Sequence, residues 1–137
     1  MERLEGGVGA AVAVVELLRL AALAGHHLAV HSLPVPSGMG VSLIGGRADR
    51  VEIGVSVTPL SAMAAALMAW HETLVGASAM LLGETESDGP RVEIHGEFGG
   101  GTPVRVVAYP DEGDLVGLRD VIWMGPRVLA WLRAAAG

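Results

Sequence analysis

Between Arg91 and Tyr109 the chain alternates apolar residues with groups able to exchange protons or hold a polar ligand: Arg91, Glu93, His95 and Glu97 in one run, Arg105 and Tyr109 in the next. Residues two apart on a strand project from the same face. A hairpin over this stretch would therefore set His95 and Glu97 beside Arg105 and Tyr109, the four residues expected to form any ligand-binding face. An imidazole next to a carboxylate suits general acid–base work. The same alternation is what the wet side of an antiparallel sheet carries, so the pattern defines a surface and assigns no catalytic residue.

His26, His27 and His31 raise the question of a metal, because imidazole is the commonest metal ligand. Read as an extended segment, His27 and His31 share a face while His26 points away. Two ligands without a neighbouring carboxylate make a poor site, so no metal and no cofactor are expected, and the histidines are read as solvent-facing at a helix-to-strand junction. His71-Glu72 begins like the helical zinc-protease signature, but Val75 stands where the second histidine is needed. Gly6-Gly7-Val8-Gly9 lacks the preceding strand, Lys and Ser/Thr of a phosphate loop. There is no Gly-x-Ser-x-Gly turn and no His-x-Glu followed by paired cysteines. Trp70, Trp123 and Trp131 sit among apolar residues, where packing in a core or a dimer interface is the usual role.

The 137 residues carry a formal charge of −6, with 51% hydrophobic and 18% charged residues. That is enough apolar material for a real core, far from the profile of disorder, and it fits one domain spanning residues 1–137. The acidic total argues against affinity won by neutralising phosphates. A nucleic-acid accessory role would need the nine basic residues, all arginine, gathered on one face. The absence of cysteine excludes disulfide scaffolds, zinc knuckles and thiolate nucleophiles. Met1-Glu2-Arg3-Leu4-Glu5 has no net positive charge and makes a poor signal-peptide start, so a cytoplasmic location is expected. From Gly6 to Gly25 the chain approaches the ~20 apolar residues of a bilayer span. Glu16 and Arg19 interrupt it, however, at a spacing that lets them pair on one helix face, so a soluble helix and no membrane are expected.

The elements that would position these groups read as follows. A helix from about Val8 to Ala24 is apolar over most of its surface, with Gly25 as its stop, and Leu28 to Ser32 reads as a short strand. Leu33-Pro34-Val35-Pro36-Ser37-Gly38 forces an extended connector. Val41–Ile44 and Arg50–Val57 form a hairpin around Gly45-Gly46-Arg47-Ala48-Asp49, with Val51, Ile53, Val55 and Val57 inward. Thr58 caps a second helix that presents Leu60, Met63, Leu67, Trp70 and Leu74 as one stripe and stops at Gly76. Ala79–Glu84 reads as a further strand. Arg91–Phe98 and Pro103–Tyr109 make a second hairpin, with Gly96 paired to Val106 and Glu97 opposite Arg105. Leu115, Leu118, Val121 and Ile122 suggest a short helix or turn, and Gly125-Pro126 opens a last helix. The expected fold is α+β: an antiparallel sheet of two hairpins, helices packed on one face, in the order α-ββ-α-ββ-α.

This layout resembles a group of small uncharacterised proteins common in high-GC actinobacteria and their phages and integrating elements. The likeness rests on the first helix, the Leu33-Pro34-Val35-Pro36 connector, a strand, and a helix ending near Gly76. It includes the closing runs Val92-Glu93-Ile94-His95-Gly96 and Gly101-Thr102-Pro103-Val104-Arg105-Val106. The resemblance implies the order of elements and brings no activity or catalytic residues.

The first helix carries more apolar surface than one thin sheet covers, so the expected function is a non-enzymatic binding or assembly module that self-associates as a homodimer. The rival readings are a small ligand-binding or enzymatic domain using His95, Glu97, Arg105 and Tyr109, and a nucleic-acid accessory protein of a mobile element.

Overall fold

In the computed structural model, which describes residues 2–44, 47–83, 89–115 and 122–137, the alternating runs become strands of one sheet. In chain order the elements are α1 (Glu2–His31), β1 (Gly38–Ile44), β2 (Arg47–Val55), α2 (Leu60–Thr73) and β3 (Val75–Leu82). They continue with β4 (Arg91–Glu97), β5 (Pro103–Ala108), a 3-10 turn (Glu112–Leu115), β6 (Ile122–Met124) and α3 (Pro126–Ala136). The protein is α+β, and the six strands lie in the order β1-β2-β5-β4-β3-β6.

Strand parity decides where the core lies. Val51, Ile53 and Val55 of β2, Val92 and Ile94 of β4, Val104 and Val106 of β5, and Ala79 and Leu81 of β3 are all buried on one face. Against them pack Leu20 and Ala24 of α1, Met63, Leu67 and Trp70 of α2, and Val128 and Leu132 of α3. The α2 stripe read from the sequence is thus the core-facing stripe, with Leu60 partly buried at its start. Pro59, not Thr58, occupies the cap position, and its carbonyl accepts from the Ala62 and Met63 amides.

The sheet is mixed where a purely antiparallel one was expected. β2 and β5 pair in parallel, Val51 opposite Val104 and Ile53 opposite Val106, and this joins the two hairpins. The order α-ββ-α-ββ-α also omits β3 and β6, which pair with each other antiparallel. β3 starts at once after α2, so Gly76 does not end the helix. It sits in the strand at φ 61, where the register of β3 against β4 shifts between Val75 and Ser78.

α1 continues through Gly25 to His31, and the expected strand Leu28–Ser32 is its last turns. Burial of Ala24 and His27 against the core outweighs the weak stop of one glycine. The helix ends where Ser32 adopts φ 51 and the Leu33 amide donates to the Leu28 carbonyl at 3.1 Å, a Schellman closure. Gly6, Gly7 and Gly9 lie within α1 and not ahead of it. The expected turn residues Gly45 and Gly46, the strand end Glu84, and Leu118 and Val121 lie outside the described residues.

The β4–β5 register differs by two residues from the one expected: Gly96 faces Val104, His95 faces Arg105, and Glu97 faces Pro103. A three-residue loop closes the hairpin, with the Phe98 amide bonded to the Thr102 carbonyl and Gly101 at φ 87. A left-handed glycine at this place lets the tighter loop form. Because the shift is by two, the inward and outward faces are as expected.

Candidate functional site

The face opposite the helices carries the candidate residues. β5 lies between β2 and β4, and each flanking strand brings an Arg-Val-Glu sequence, Arg50-Val51-Glu52 and Arg91-Val92-Glu93. Register sets Arg105 of β5 beside Glu52 on one side and His95 on the other. Its guanidinium reaches a carboxylate on each flanking strand, Nε donating to Glu93 Oε1 at 2.7 Å and Nη1 to Glu52 Oε1 at 3.2 Å. Arg91 Nε donates to Glu93 Oε2 at 2.6 Å, and Arg50 Nε lies 3.2 Å from Glu52 Oε1.

Glu93 is therefore the centre of the network. Its third donor is His95 Nε2, at 2.9 Å from Oε1. An ionised carboxylate only accepts, so the proton between them is carried on His95 Nε2. Only 5% of the Glu93 side chain is exposed, against 39% for Glu52. Burial alone would push the Glu93 carboxyl up, but the bonds from Arg105, Arg91 and His95 overcome it and hold it at about 2. The same partnership raises the Arg105 guanidinium above its ordinary value. A carboxylate held this far down stays ionised near neutral pH and does not shuttle protons there.

Of the four residues expected to form a site, two belong to this network. His95 and Arg105 are bridged by Glu93. Glu97 is exposed at the end of β4, and Tyr109 is exposed beyond the end of β5. His95 and Glu97 instead share the rim of a shallow depression of about 520 Å³ with Arg50, Ser78 and Pro103. Gly96, between His95 and Glu97, faces the core side, where a Cβ would come within 2.8 Å of Leu74 Cβ and 3.2 Å of the Val75 carbonyl oxygen.

Sequence reasoning placed Glu93 on this face without its central role, and it set Arg50 and Glu52 outward on their strand without joining them to Arg105. The signal was the repeat of Arg-Val-Glu-Ile at 50–53 and 91–94. It becomes informative only once β5 is known to lie between the two copies.

The histidines of α1 follow a helix and not an extended segment, so His27 and His31 lie one turn apart, ring centroids 4.5 Å apart and planes tilted by 50°. His27 is buried and not solvent-facing, 8% exposed, with Trp70 and Phe98 beside it. The Thr73 hydroxyl donates to the Trp70 carbonyl, so it accepts from His27 Nε2 at 2.9 Å. Burial, with smaller contributions from His31 and His26, lowers the His27 pKa. Among the described residues no three His, Asp or Glu side chains gather to hold a metal ion.

The first half of α1 presents a contrasting surface. Val12, Val14, Val15, Leu17 and Leu18 are exposed, Leu18 to 66%. The Glu16–Arg19 pair, bidentate at 2.6 and 3.0 Å, is closed on itself. Comparison with protein-family models, with curated proteins and with solved structures finds no match to this chain in any of the three.

Proposed function

We propose that the protein is a non-enzymatic binding or assembly module, soluble and cytoplasmic, that works as a homodimer. The observation carrying this reading is the run of exposed apolar side chains on α1, Val12, Val14, Val15, Leu17 and Leu18. Contiguous apolar surface of this kind on a water-soluble chain marks an interaction site. The polar face of the sheet supports the same reading from the other direction, because Glu93 and Glu52 are held by Arg91, Arg105 and Arg50 of the same face.

α1 is long and apolar enough, from Gly9 to His31, to cross a membrane by length and composition. The soluble reading is supported by the charged Glu16 and Arg19 inside that stretch and by Leu20, Ala24 and His27, which are buried in the protein's own core. Light scattering across micromolar concentrations tests the reading: twice the chain mass is expected, and a monomer throughout would contradict it.

A second reading has one observation in its favour: His95, held by Glu93, lines a depression of about 520 Å³ together with Arg50 and Ser78. A small polar ligand bound there would shift the His95 ring resonances in NMR. Unchanged resonances across a panel of carboxylates, phosphates and amides would remove this reading.

A further inference from the structure

We propose that two copies of this chain join edge to edge through β1, running their two sheets into one and closing α1 against its counterpart. The inference rests on the self-association proposed above and specifies its geometry.

The sheet ends in β1 on one side and β6 on the other, and the two edges are built differently. Among the described residues β6 has three, and it leads within two residues into α3, so it offers little to pair with. β1 has seven, Gly38-Met39-Gly40-Val41-Ser42-Leu43-Ile44, with no charge and no proline among them. Those are the devices by which edge strands are kept from pairing. Its irregularity against β2 lies at the far end, between Ser42 and Leu43, leaving 38–42 in regular register.

Side-chain parity makes this edge complementary to itself. Met39 and Val41 share the face of Ile53 and Val51, while Gly38, Gly40 and Ser42 lie on the other. An antiparallel copy centred on Val41 sets Val41 against Val41 on the helix-covered side and Gly40 against Ser42 on the open side. Like meets like in size and polarity, and no charge is buried.

A strand pair of this length falls well short of the roughly 800 Å² per partner of a stable interface. α1 supplies the remainder, because it is the helix that rests on β1 and β2 and so lies nearest this edge. Its uncovered valines and leucines, with Met39 at 46% exposure, add the apolar area. The charge of −6 does not oppose the contact: from Gly9 to His31 the Asp, Glu and Arg side chains are Glu16 and Arg19 alone, and they neutralise each other.

The cysteine-free chain accepts a single engineered cysteine at Gly40→Cys, where a Cβ meets nothing within 4 Å, or at Ser42→Cys. Paired strands lie about 4.8 Å apart, so spin labels at either position should read an inter-copy distance within roughly 20 Å. A dimer by light scattering whose labels lie well beyond that range overturns β1 pairing and leaves self-association standing. A monomer overturns both, as does a monomer that partitions onto phosphatidylcholine vesicles.

Discussion

On the open face of the sheet Glu93 accepts from Arg91, His95 and Arg105 at once, whereas along α1 Val15 and Leu18 are about two-thirds exposed with no chain packed over them. The two regions differ in whether their groups are already answered within the chain. Polar side chains that have found partners stiffen the fold and have little left to offer a ligand. Apolar side chains left in water are where association gains free energy. The polar face, the obvious place to seek chemistry from residue types, is therefore the settled one, and the plain aliphatic helix is the unsettled one.

The largest test of that contrast is Glu93→Gln. Breaking a buried pair leaves charge without compensation and costs about 3 kcal/mol, readable in urea denaturation, while the oligomeric mass should not change. The pH dependence follows from the same group. Its folded pKa of about 2 lies below the ordinary 4.5, so its stabilisation is present above pH 4.5 and lost as pH falls toward 2. The stability gap between wild type and Glu93→Gln should close over that window. A gap that persists at pH 2 would place the effect elsewhere than in the carboxylate charge.

Gly96→Ala should cost about 2 kcal/mol through overpacking against Leu74, again without altering assembly. A neutral result would mean that Leu74 and the core around it yield. Thr73→Val removes the acceptor for the buried His27 Nε2 proton and should cost about 1 kcal/mol in the same assay. Leu18→Arg is the smallest change in monomer stability, under about 0.5 kcal/mol, yet it should halve the mass seen by light scattering. If it leaves the mass of a wild-type dimer unchanged, α1 is not the interface.

Much of the layering was legible in the residues. Alternation in Val51-Ile53-Val55 and Val92-Ile94 told inward from outward, and the spacing from Met63 to Trp70 told which side of α2 is buried, because both are local consequences of backbone period. The parallel pairing of β2 with β5 was not legible, since nothing local to either hairpin records its neighbour across the sheet. That one pairing brings Glu52 to Arg105 and turns a row of polar residues into a network. The length of α1 was hidden for a related reason: Gly25 is a local stop signal, while the burial that carries the helix past it is tertiary. Tyr109 was placed by parity alone, and β5 ends before reaching it.

Backbone hydrogen exchange at two protein concentrations compares the two regions in one experiment. Amides of β1 should become more protected as concentration rises through the dimer range, while those of β4 beside Glu93 stay the same. Exchange in β1 that is independent of concentration, in a chain shown by scattering to dimerise, would contradict the edge pairing. The same result in a chain that stays monomeric would contradict self-association itself.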